Sequence, residues 1–211
     1  MKMNINYDQL IEIKKELNEY PEAKLQIVTK NREEKVVREL IDEGYFIFGE
    51  NKVQEAQQKF KNIKNANVDL HLIGPLQTNK VKIALNLFDC IQSIDRSKLV
   101  LEIAKCMDKQ KIKTKNFYIQ INIGEETQKS GVYPNNLKEL YQLCIEKNLS
   151  VKGLMCIPPF DMPSENYFHE MRSLRDNLNK NLELSMGMSN DYKVSLKCGS
   201  NLIRIGSRIF S

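Results

Sequence analysis

The chain has 211 residues, of which 41% are hydrophobic and 28% charged. That balance is too apolar for a disordered chain, and no apolar run approaches the roughly 18 residues of a membrane span. The net charge of +5, from 32 basic and 27 acidic residues, is dispersed along apparent helix faces and forms no concentrated nucleic-acid patch.

The first residues, Met1 to Gln9, are polar and lack the apolar core of a signal peptide, so a cytoplasmic location is expected. Tyr7 to Leu17 then places Leu10, Ile11, Ile13 and Leu17 at near-helical spacing. Beyond it, short apolar runs alternate with helical patterns. The strand candidates are Leu25–Thr29, Tyr45–Phe48, Leu70–Ile73, Cys90–Ile94, Phe117–Ile123, Val151–Ile157, Leu182–Met186 and Leu202–Ile205. Most are continuous apolar runs, as expected of parallel strands covered on both faces.

Between them, Val36, Val37, Leu40 and Ile41 mark one helix, and Val81, Ile83, Ala84, Leu85 and Leu87 another. Asp95 and Ser97 are N-cap candidates before Leu99, Val100 and Ile103. Pro134 and Pro163 each open a further helix, where a missing N–H costs little. Lys109, Lys111, Lys113 and Lys115 make one dense basic stretch, read as a solvated loop before a strand. Eight strand–helix steps without a long linker fit a single (β/α)8 barrel of the TIM type, with an extra N-terminal helix. A doubly wound open sheet shares this alternation and stays open as the alternative, although no G-x-G-x-x-G follows the first strand.

Five cysteines (Cys90, Cys106, Cys144, Cys156 and Cys198) are widely spaced, with no C-x-x-C pair, and read as reduced thiols. His71 and His169 are too few for a histidine-rich metal site, so no metal is expected.

Barrels of parallel strands gather their chemistry at the strands' C-terminal ends. Lys30 stands at the first such end, after Leu25-Gln26-Ile27-Val28. At the edge of a low-dielectric core its amine would be held in the neutral form needed to attack a carbonyl. A surface lysine reaching solvent is the plainer reading. Ser185-Met186-Gly187-Met188-Ser189 and Arg204-Ile205-Gly206-Ser207-Arg208 end the seventh and eighth strands, where TIM barrels often hold phosphate. Both are otherwise simple tight turns.

Several ordered segments resemble the YggS/PROSC family of pyridoxal phosphate (PLP) homeostasis proteins. They are Phe48-Gly49-Glu50-Asn51-Lys52-Val53-Gln54-Glu55, His71-Leu72-Ile73-Gly74-Pro75-Leu76-Gln77-Thr78-Asn79-Lys80, Lys129-Ser130-Gly131, Gly153-Leu154-Met155-Cys156-Ile157-Pro158, Leu184 to Ser189, and Arg204 to Ser207. The resemblance implies a barrel related to the N-terminal domain of alanine racemase, with PLP held as a lysine Schiff base. Val28-Thr29-Lys30 occupies the place of the family's cofactor lysine, with threonine where serine is usual. The family's phosphate contacts map onto Ser189, Gly206 and Ser207, and the arginine beside the pyridine nitrogen onto Arg204. Asn51 and His71 fall in motifs near the cofactor.

The chain ends at Ser211, soon after the eighth strand candidate. Racemase-type relatives add a β-rich domain carrying a catalytic tyrosine, and neither Tyr133 nor Tyr192 has a reason to stand in for it. The expected function is therefore a non-enzymatic PLP carrier or buffer, acting as a monomer, with PLP-dependent apoenzymes as recipients and no nucleic-acid or membrane partner. A PLP-dependent amino-acid racemase is the alternative. A Schiff-base aldolase barrel acting on a phosphorylated sugar ranks last because the ordered motifs do not resemble that group.

Overall fold

The computed structural model describes residues 5–63, 67–160 and 162–210. Its elements alternate as expected. Helix α1 (Tyr7–Leu17) precedes β1 (Lys24–Val28), α2 (Glu34–Asp42), β2 (Ile47–Glu50), α3 (Val53–Phe60) and β3 (Asp69–Leu72). Next come α4 (Val81–Leu87), β4 (Cys90–Ile94), α5 (Ser97–Met107), β5 (Asn116–Ile121), α6 (Leu137–Glu146) and β6 (Val151–Cys156). The series ends with α7 (Ser164–Leu178), β7 (Glu183–Ser185), α8 (Tyr192–Lys197) and β8 (Leu202–Ile205). The eight strands pair in parallel with their sequence neighbours, and β8 pairs with β1, so the sheet is a closed barrel. Closure decides between barrel and open sheet.

Alternation along each strand sorts side chains into two layers. Outward residues such as Ile27, Phe48, Leu72, Ile119, Leu154 and Ile203 join one apolar cluster with the buried stripes of the helices, Val37 and Leu40 of α2 among them. The inward layer departs from the continuous apolar strands expected from sequence. Gln26 of β1 and Gln92 of β4 are hydrogen-bonded at 3.2 Å although their strands are not neighbours, so the contact crosses the barrel interior. His71, Gln120, Ser185 and Arg204 are also buried polar residues. They escape the cost of burying polar atoms chiefly by pairing with each other or with backbone.

Some local signals were read differently by the fold. The N-cap of α5 is Arg96, not Asp95 or Ser97. Asp95 accepts from Arg96 Nη1 at 2.5 Å, while Arg96 Nη2 reaches the Leu76 carbonyl, so the carboxylate is engaged elsewhere. Pro134 opens a 3-10 turn that leads into α6, and Pro163 is the residue before α7. Lys113 is tied down in its loop by Asp89 and the Leu87 carbonyl. The five cysteines are unpaired, and all but Cys106 are buried. Among the described residues no helix is long and apolar enough to cross a membrane.

Candidate functional site

The C-terminal ends of the strands open into a cavity of about 760 Å³. Lys30 lines it from the turn after β1, Asn51 from the end of β2, and Ser189 from the connection between β7 and α8. Arg204 rises into it from β8, followed by Gly206 and Ser207. Six of the seven expected residues thus share one space. His71 does not line it. That side chain lies within the barrel, where Nδ1 is 2.7 Å from Gln92 Nε2 and Nε2 is 3.0 Å from Asp69 Oδ1. On a strand of alternating faces His71 does turn inward, but its ring is held between Gln92 and Asp69, and it is Ile73, two residues on, that lines the cavity.

Lys30 is exposed, whereas the preceding Thr29 is fully buried. The desolvated amine expected at the strand's edge is therefore not what the fold provides: the strand ends buried, and the next residue emerges at the cavity wall.

Arg204 is the buried cation of the site. Nη2 donates to the Cys156 carbonyl at 2.7 Å and Nη1 to Ser185 Oγ at 2.8 Å. Among the described residues no carboxylate lies within ion-pair distance of it. Burial lowers its pKa from the ordinary guanidinium value. Burial also pushes the neighbouring Cys156 thiol up to about 12, against the pull of the Arg204 charge, so this sulfur is a neutral thiol rather than a nucleophile.

Two glycines set the walls. Gly187, with φ +92°, turns the chain out of β7, and a Cβ there would fall 1.9 Å from Ser195 Oγ. Gly74 lets its loop approach β2's end, because a Cβ would come within 2.1 Å of the Asn51 carbonyl oxygen. The β7–α8 turn is further fixed by Asp191, whose Oδ1 accepts from the Met188 amide at 2.7 Å. Ser189 Oγ in turn accepts from the Arg208 amide at 3.3 Å.

Sequence reasoning missed part of the lining. Gln120, Lys129 and Asp191 face the cavity, as do Phe160 and Met162 from the connection after β6. Lys129 lay in a quoted motif without a role. Its ammonium pairs with Glu126 in its own loop and reaches the Pro158 carbonyl in the loop after β6, which the pairing of β5 with β6 brings alongside. The tyrosines behave as anticipated for bystanders. Tyr192 turns its hydroxyl to Glu16 of α1, and neither it nor Tyr133 lines the cavity.

Residues 8–211 match the family model described as alanine racemase, N-terminal domain. A pyridoxal phosphate homeostasis protein of Aquifex aeolicus (strain VF5) is 40% identical over 197 residues, covering 89% of this chain and 86% of that protein. The chain belongs to the pyridoxal phosphate homeostasis protein family. A solved structure of similar build is that of PipY of Synechococcus elongatus PCC7942 without PLP, 30% identical with a TM-score of 0.89, covering 97% of this chain and 99% of that one. PipY is also solved with PLP bound, with a TM-score of 0.83 and 29% identity over the same shares. PipY and this chain thus share one fold over nearly the whole of both chains.

Proposed function

We propose that this chain binds PLP in the cavity at the C-terminal end of its barrel, through a Schiff base on Lys30, and that it serves cytoplasmic PLP homeostasis as a carrier or buffer. The observation that carries the reading is the convergence of a lysine amine, a buried arginine and the Ser189 and Gly206–Ser207 turns on one cavity. The donor set suits the ligand's chemistry. Hydroxyls and loop amides offer hydrogen bonds to a phosphate, and a lysine amine is the group that condenses with an aldehyde. PLP when bound supplies an electrophilic aldehyde and a pyridine ring able to delocalise charge. Residues 1–211 form, on this reading, a single PLP-binding unit.

Arg204 disfavours carbanion chemistry such as transamination. A buried guanidinium facing the ring nitrogen would oppose a second positive charge there, because like charges in a confined site are costly. The cavity also contains no tyrosine among its described lining residues to oppose Lys30 as a second acid or base. Racemases also work with an arginine at that nitrogen, so it is the lack of an opposing tyrosine among the described lining residues that favours a binding protein over an amino-acid racemase.

The test is the visible absorption of the purified chain with added PLP, for wild type and Lys30→Ala, before and after borohydride. A band that reduction fixes onto the Lys30 peptide, and that the variant lacks, is the expected result. Absence of the band in wild type at saturating PLP would remove the reading.

A further inference from the structure

Behind Lys30, outside the cavity, lies a buried ion network centred on Lys59. This lysine is near the end of α3 with its side chain 4% exposed. An ammonium has three N–H donors, and each finds an acceptor here. Lys59 Nζ donates to Glu50 Oε1 at 2.6 Å, to Glu55 Oε1 at 2.9 Å and to the Thr29 carbonyl at 2.6 Å. Thr29 Oγ1 donates to the same Glu50 oxygen at 2.6 Å. Glu55 Oε1 also accepts from the Asn31 backbone amide at 2.5 Å.

The contacts fall on both sides of one residue. Thr29, before Lys30, is held by its carbonyl and its hydroxyl. Asn31, after it, is held by its N–H in the left-handed region at φ 58°, which asparagine adopts more readily than other non-glycine residues. A fourth bond, from the Arg32 amide to the Thr29 carbonyl at 3.1 Å, closes the turn. Stability alone is a weak reason for such a cluster, since well-packed apolar side chains often replace buried ion pairs without loss. Directed hydrogen bonds do what apolar packing cannot: they fix the orientation of particular peptide groups.

We infer that Lys59 is a positioning residue for Lys30, joining Glu50 and Glu55 into a clamp on the two flanking peptide units so that the Lys30 amine enters the cavity along one direction. The inference rests on Lys30 being the amine that binds PLP.

The experiment compares two ligands on the full chain in wild type, Lys59→Met and Glu55→Gln. PLP reports cavity binding plus condensation with Lys30. Pyridoxamine 5′-phosphate has the same ring and phosphate but no aldehyde, so it reports cavity binding alone. The expected result is Schiff-base formation about tenfold weaker or slower in Lys59→Met, as misplacement of a reacting group entails, with pyridoxamine 5′-phosphate affinity unchanged. Glu55→Gln, at a more exposed position, keeps Lys59 paired with Glu50 and gives a smaller loss of the same kind. It also carries the test if Lys59→Met does not fold. Equal losses for both ligands, or no loss for either, would overturn the inference. Failure of wild type itself to form the Schiff base would instead overturn the binding mode on which it rests.

Discussion

Ser185 Oγ stands between Arg204 and Gln92, accepting from Arg204 Nη1 at 2.8 Å and donating to Gln92 Oε1 at 2.7 Å. The donors then run one way through the barrel. Gln92 Nε2 donates to His71 Nδ1 at 2.7 Å, which leaves the His71 proton on Nε2, 3.0 Å from Asp69 Oδ1. Arg204 in the cavity is thereby connected to Asp69, half exposed at the opposite end of the strands. His71 is linked to Arg204 through these bonds and is not part of the cavity wall.

Gln92→Leu cuts the chain at its centre. It leaves the Ser185 hydroxyl without its acceptor and His71 Nδ1 without its donor, both inside the barrel. Stability should fall by about 2 kcal/mol, the usual cost of stranding buried polar groups. Denaturant unfolding measures it. A variant as stable as wild type would mean that the interior bonds contribute nothing net.

Gly187→Ala and Gly199→Ala separate two costs. Both glycines have φ near +90°, but a Cβ at Gly199 meets nothing within 4 Å, whereas at Gly187 it strikes Ser195 Oγ. Gly199→Ala should lose about 1 kcal/mol from backbone strain alone. Gly187→Ala should lose at least twice that, and should weaken PLP binding because Met188 and Ser189 follow it into the cavity wall. Equal thermal shifts in the two variants would contradict the steric reading.

Asp69 links stability to acid. Burial pushes its carboxyl up, but the hydrogen bond from His71 Nε2, with Lys152 and Lys24 beyond, outweighs burial and holds it below the ordinary aspartate range. A lowered value in the fold means stabilisation that is complete above the unfolded value of about 3.9 and lost as pH falls through the folded one. Because the side chain is 47% exposed, solvent screening limits the effect to less than about 1 kcal/mol. Asp69→Asn should therefore be slightly less stable than wild type at pH 6, with the gap closing below about pH 4. A gap that widens in acid would reverse the assigned sign.

Much of this architecture was legible one segment at a time. The runs Cys90–Ile94 and Leu202–Ile205 are strands with the expected bounds, and Tyr7–Leu17 is α1. In each the period of the apolar residues is a local property that burial enforces. Where the local rules misread, a long-range contact had won. Asp95 did not cap α5 because Arg96 took its carboxylate. Lys59 carried a signal that went unread: it lies four residues after Glu55 on a helix face with the buried Val53, Ala56 and Phe60, and a charge on such a face requires partners.

By itself the sequence determined the alternation of eight strands and their helices, and the polar residues that end each strand, because periodicity and turn chemistry act over a few neighbouring residues. Through its ordered motifs it also resembled the family to which it belongs. Only the tertiary structure decided which polar residues meet: that Gln92 reaches Gln26 and His71 across the interior, that His71 stays below the cavity, and that Lys59 grips the turn around Lys30. Those pairings depend on barrel closure and strand register, which set distances between residues far apart in the chain and leave no periodic trace in the sequence.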